Sequence, residues 1–197
     1  MRNALALLAV IGFVTACNKT KPMNPDPPPP SSHPAMIYID FGDNAIQFGN
    51  YKIVDLDKDG LYDIVFSTLL VGDPINRIDK KQWLVNSSFY TNLPVKNETI
   101  PVMNYGDSIP VKNFSGHEWY NASSIVLAQK IISFTQTPYW EGGWKQASHQ
   151  YLPIQLNRNN ELFNGWIEIS FISASEKVVL HEAAICMEAN KGIIAGH

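Results

Sequence analysis

Residues 55–63 read Asp55-Leu56-Asp57-Lys58-Asp59-Gly60-Leu61-Tyr62-Asp63. Alternating aspartates place carboxylates on one concave side of a tight turn. Gly60 permits the positive φ that such a turn requires. The carbonyl of Leu61 is placed to complete a ring of oxygens, and Asp63 adds a ligand or holds a water. Calcium takes six to eight hard oxygens and tolerates irregular geometry, so Ca²⁺ is the cation this set fits. With 10 Asp and 12 Gly in 197 residues, this spacing arises by chance in roughly one chain in ten thousand, which makes it specific. The competing reading is a hydrated acidic hairpin turn that binds nothing. Asp40 and Asp43, in YIDFGDN, read as turn residues rather than further ligands.

A second cluster is aromatic. Tyr139-Trp140-Glu141-Gly142-Gly143-Trp144 sets three rings around a glycine turn. Loop aromatics stack on sugar rings while nearby carboxylates and amides bond the hydroxyls, so Tyr139, Trp140 and Trp144 are candidates for ligand binding. The alternative is that these rings close one end of the core, since Trp is usually mostly buried. Trp83 and Trp166 read as packing residues, and Cys186, between Ile185 and Met187, as a buried hydrophobe.

Nothing in the sequence marks a catalytic site. His117-Glu118, His149 and His181-Glu182 lack a metalloprotease or nucleophile-elbow context. His181 reads as a satisfied core or surface histidine. A glycosidase-type carboxylate pair is a spatial property and stays open. The net charge of −3 argues against a nucleic-acid-binding surface. Two cysteines exclude a disulfide scaffold, and five histidines with 17% charged residues argue against a metal-rich enzyme.

The front of the chain reads as an address. Arg2 is a short positive region, and Ala4 to Ala16 is nearly all apolar. This run is too short for the ~20 residues of a spanning helix, so a signal peptide over 1–16 is expected. Seven of the 13 prolines lie between Pro22 and Pro34. Proline fixes φ and lacks a donor, so 17–34 should be a semi-rigid spacer. At ~3.1 Å per residue it reaches roughly 50 Å. The folded unit is expected over 35–197, which carries 12 basic and 17 acidic side chains. About 160 residues suffice to bury a core.

Three resemblances add expectations. Val14-Thr15-Ala16-Cys17 resembles a bacterial lipobox. In that family the peptidase cuts before the cysteine, which is then lipidated. The resemblance implies an exported protein held in the bacterial cell envelope by acylated Cys17 in a lipid bilayer, more than one chain giving stable anchoring. The acidic turn differs from an EF-hand, with Phe66 where the bidentate glutamate would stand and strand-like flanks. It resembles the strand–loop–strand calcium turns of integrin-type and other extracellular β proteins; the missing twelfth-position glutamate should weaken binding to the sub-millimolar to millimolar range. The C-terminal third, HQYLPIQLNRNNELFNGWIEIS and KVVLHEAAICMEANKGIIAGH, resembles secreted β-sandwich proteins, including PEP-CTERM-associated and Bacteroidetes-type envelope proteins. That likeness implies fold and location, not catalysis.

The elements that must position these groups read as strands: 36–41, 51–56, 61–70, 95–104, 149–156, 163–172 and 177–187, the last of which equally suits a helix through HEAAICMEA but is favoured as a strand by the VVL leading into it. Residues 124–134 fit a strand or a short helix. Pro153 suggests an edge or a bulge, and 73–92 reads as a long loop with one short strand. Residues 163–172 alternate, with Trp166, Glu168 and Ser170 on one face and Ile167, Ile169 and Phe171 on the other. The expected fold is all-β, an antiparallel β-sandwich of jelly-roll or Ig-like kind, with room for one short helix. The leading expectation for function is a non-enzymatic, calcium-stabilised module for adhesion or for binding a glycan or protein ligand. An envelope glycan hydrolase and a purely structural envelope protein are the alternatives.

Overall fold

The computed structural model describes residues 33–197. Cys17, the signal segment and most of the proline tract lie outside them. The described residues form thirteen strands: β1 (Met36–Gln47), β2 (Lys52–Val54), β3 (Ile64–Asp73), β4 (Ile78–Ser87), β5 (Thr91–Val95), β6 (Ser108–Ile109), β7 (Glu118–Asn121), β8 (Ser124–Ser133), β9 (Tyr139–Glu141), β10 (Gln150–Arg158), β11 (Glu161–Ile172), β12 (Lys177–Cys186) and β13 (Ile193–Ile194). A six-stranded sheet runs β1-β12-β11-β10-β5-β7, and a five-stranded sheet runs β2-β3-β4-β8-β9. All their pairings are antiparallel. The sheets stay open, so the architecture is an all-β sandwich.

Alternation explains the layers. Ile167, Ile169 and Phe171 of β11 face inward with Leu152 and Ile154 of β10. They meet Phe66 of β3, Trp83 and Val85 of β4 and Leu127 of β8 in one buried cluster. Trp166 points the other way, into a second cluster with Tyr151, Ala184 and Cys186, which the β6–β13 ribbon covers through Ile109 and Ile193. Trp83 and Trp166 are buried, as is Cys186.

Two expectations change. Residues 73–92 are not a long loop: half of the segment is the ten-residue strand β4, paired along its length with β3 and β8. Its first half, IDKKQ, is half-buried throughout and hides the pattern, which shows only where Trp83 and Val85 turn into the core. Residues 95–104 are mostly irregular; Val95 ends a strand, Lys96 and Thr99 bridge each other, and Met103 makes a single bridge to Tyr151. Pro153 lies between that bridge and the Gln155–Asn92 pair, where β10 has no ladder partner on the β5 side. Residues 124–133 are strand, and the only helical turn among the described residues is the 3₁₀ turn Ser173–Ser175.

That turn ends at Glu176, whose carboxylate crosses between the sheets to Lys81 on β4 (3.3 Å) and to Lys130 on β8. The hydrogen bond from Lys130, aided by Lys81, holds the Glu176 carboxyl below its ordinary range against partial desolvation. A depressed carboxylate contributes stability above its unfolded pKa and loses it as pH falls through the folded value. Glu176→Gln is therefore expected to cost ~0.5–1 kcal/mol at pH 7, with the gap closing progressively below pH 4.5. Urea melts of both proteins at pH 7 and pH 3 check this, and an undiminished gap at pH 3 would refute it.

Candidate metal centre

The acidic loop joins β2 to β3, and the Val54–Ile64 pair closes its base. Leu56 is fully buried and pins the loop to the core. The aspartates then fold the backbone around themselves. Asp55 Oδ2 accepts the Gly60 N–H (2.9 Å), Asp57 Oδ1 the Asp59 N–H (3.3 Å), and Asp59 Oδ1 the Leu61 N–H (2.8 Å). Gly60 has φ +88°, as the turn demands, and Lys58 also enters the left-handed region at +60°. These are local Asx-type bonds that Asp forms readily in turns.

Asp63 is held differently. Its residue is 1% exposed. Oδ2 accepts the Leu56 N–H at 2.7 Å, and Oδ1 accepts the Thr91 hydroxyl at 3.2 Å. Burial pushes its carboxyl above the ordinary aspartate value, opposed by the Leu56 N–H and by Arg158.

Oxygens of Asp55, Asp57 and Asp63 come within 4.8 Å of one another, so the three can hold a metal ion. Asp55 Oδ1 is buried with no hydrogen-bond partner, a ligand atom left unused by the protein. Asp59 lies outside this trio, with Oδ2 3.7 Å from the Arg158 guanidinium. Leu61 has an exposed side chain and caps Asp59 through its N–H.

Sequence reasoning missed Arg158. It ends β10 beside the two-residue turn Asn159-Asn160, where φ values of +52° and +66° fit a type I′ hairpin. The hairpin swings the guanidinium across to the other sheet. Nε donates to Asp57 Oδ2 and Nη2 to Asp63 Oδ1, each at 2.6 Å. Burial by itself would pull the guanidinium down, but the bonds and charges of Asp57 and Asp63 outweigh it and raise its pKa. One guanidinium thus meets three of the loop's four carboxylates, those of Asp57, Asp59 and Asp63. It bridges the two sheets and leaves most of the acidic charge uncompensated. Nothing local to NRNNE marks this role, because the partner aspartates lie about a hundred residues earlier.

The aromatic cluster separates. Trp144 is 1% exposed and lies in the main core. Trp140 is half-buried against Phe171 (centroids 4.9 Å) and Trp83 (5.4 Å). The stacking platform expected of Tyr139, Trp140 and Trp144 does not form; of the three, Tyr139 alone is exposed. The cause is Gly142, at φ +105°, where a Cβ would lie 2.5 Å from the Leu127 carbonyl. This close pass over β8 lets the Trp144 N–H bond Leu127 (3.1 Å) and drives its ring inward. Among the described residues, no helix is long and apolar enough to cross a membrane. Comparison of the chain with protein-family models, with curated proteins and with solved structures finds no match to any of them.

Proposed function

We propose that this chain is an envelope-anchored lipoprotein whose β-sandwich is stabilised by Ca²⁺ in the Asp55–Asp63 loop and presents its loops for adhesion or for binding a glycan or protein ligand. The observation that carries the calcium reading is the convergence of Asp55, Asp57 and Asp63, with Asp55 Oδ1 buried and unused. Hard, irregularly placed oxygens suit Ca²⁺ better than Mg²⁺, which demands near-octahedral geometry and dehydrates reluctantly. Asp59 and the Leu61 carbonyl are the further oxygens proposed for the ion. Arg158 already engages Asp57 and Asp63, which fits a weak site rather than a tight one.

Calorimetric titration of the full chain in detergent should show calcium binding in the sub-millimolar to millimolar range. Magnesium should give less heat, and Asp57→Ala with Asp59→Ala should give none. No calcium heat from the folded chain would leave the aspartates as a solvated turn. The anchor rests on the sequence at Cys17, and Cys17→Ser should abolish labelling by radioactive palmitate. Persistent labelling of that variant would remove Cys17 as the acceptor.

A further inference from the structure

At the end of β11 opposite to Arg158, on the outer face of the six-stranded sheet, Ser170, His181 and Asp43 stand in line. Ser170 Oγ is 2.8 Å from His181 Nε2, and His181 Nδ1 is 2.6 Å from Asp43 Oδ1. An ionised carboxylate only accepts, so Nδ1 carries the proton and Nε2 presents its lone pair. The Ser170 hydroxyl must then donate to Nε2. The main-chain N–H of His149 donates to the same Oγ at 2.9 Å, which fixes the direction of the hydroxyl proton. A hydroxyl bonded to a base that is in turn oriented by an acid is the arrangement of an activated nucleophile.

The backbone goes out of its way to build this line. β1 slips register against β12, so that Phe41, Gly42 and Asp43 lie opposite His181 alone, between the Asp40–Glu182 and Asn44–Leu180 pairs. β12 slips again against β11 between Ile167 and Ile169, which sets His181 and Glu182 against Glu168. Two bulges therefore meet at His181, and bulges commonly re-aim side chains beside active sites. Asp43 (φ +57°) and His149 (φ +51°) are both held in the left-handed region. Non-glycine residues there are strained, and such strain concentrates at functional sites. The His149 ring stacks on His181 with centroids 4.2 Å apart, and Glu168 holds its Nδ1 at 2.7 Å. The base is thus fixed in position as well as in tautomer.

Ser170, 7% exposed, sits in an open cleft of ≈ 570 Å³ whose walls include Ala147, Ala174, Val179 and Lys177. The cleft has room for a small acyl group, and Lys177 on its wall brings a positive charge to it. We propose that Ser170 and His181, positioned by Asp43, hydrolyse small carboxylic esters. Ser170 Oγ bonds to the ester carbonyl carbon while its proton passes to His181 Nε2 and the C=O π pair moves onto oxygen. The intermediate collapses, the C–O bond to the alcohol breaks, and the alcohol leaves with the proton from Nε2. Water then attacks the acyl-serine, giving its proton to Nε2. The bond to Oγ breaks, Ser170 recovers the proton, and the carboxylic acid departs. The sum is ester plus water to acid plus alcohol. This activity uses none of the acidic-loop residues and stands apart from the calcium reading.

The test treats the full chain in detergent with a fluorophosphonate and with 4-nitrophenyl acetate, in EDTA. The expected results are one phosphonyl group per chain, mapped to Ser170 by mass spectrometry, and turnover that falls to background in Ser170→Ala. His181→Gln should lower kcat by about 10²- to 10⁴-fold. Asp43→Asn should lower kcat with KM unchanged, and Asp43→Glu should recover part of it, which a merely structural aspartate would not do. Circular dichroism checks the fold of each variant, and the wild-type label map decides if Ser170→Ala does not fold. A folded wild type that takes no label, takes it elsewhere, or keeps its rate in Ser170→Ala or His181→Gln overturns the proposal.

Discussion

Arg158→Met is expected to destabilise the protein by about 3–5 kcal/mol in EDTA, the cost of removing one partner from a buried ion pair. Asp63 is almost wholly buried, and Arg158 supplies the one cationic contact to its Oδ1. The same side chain neutralises Asp57. Without it, the loop's carboxylates repel with nothing between them, and the bridge from the β10–β11 hairpin to the other sheet is gone. Calcium should restore much of the loss, because the variant frees Asp57 Oδ2 and Asp63 Oδ1 as ligands. In the parent protein, if the loop binds calcium as proposed, a hundredfold excess over Kd should contribute ~2.7 kcal/mol, a melting shift of roughly 5–10 °C for a domain of this size. The shift should be larger in Arg158→Met. Thermal melts of both proteins in EDTA and in calcium at a hundredfold excess over the Kd found by titration give all four values. Equal stability in EDTA would mean the guanidinium only decorates the loop.

Trp144→Ala should be comparably damaging, at ~3–5 kcal/mol, because a buried aromatic leaves both lost transfer energy and a cavity. Its ring sits among the residues joining the two sheets, and the close pass at Gly142 gives β8 little room to collapse onto the gap. Tyr139→Ala, at an exposed edge-strand position, should stay within about 0.5 kcal/mol. Urea denaturation of the two variants separates the roles. A Trp144→Ala protein that melts like the parent but no longer binds immobilised glycans would reinstate the ring as a ligand contact and contradict its burial.

Much of the fold was legible in short stretches of sequence. The two faces of β11 follow from the alternation of Trp166, Glu168 and Ser170 with Ile167, Ile169 and Phe171, because a strand's side chains have a period of two. Gly60 marked the turn of the acidic loop, since a positive φ is cheap only for glycine. The alternation failed for β4, where half-buried lysines on a sheet surface resemble a loop until Trp83 is reached. It failed also for Trp144, whose direction depends on a backbone contact with Leu127 rather than on its neighbours in sequence.

By itself the sequence determined what is local: strand faces, turn glycines, and a run of aspartates spaced to converge. The tertiary structure decided which groups those residues meet. Arg158 reaches Asp57 across 101 residues and Asp63 across 95. His181 reaches Asp43 across 138 residues, and only because β1 and β12 slip out of register there. Propensity and periodicity act over a few residues, so they carry no information about such pairs. Strand order and register are set by burying both sheets against one core, and the charged partners are brought together as a consequence of that packing.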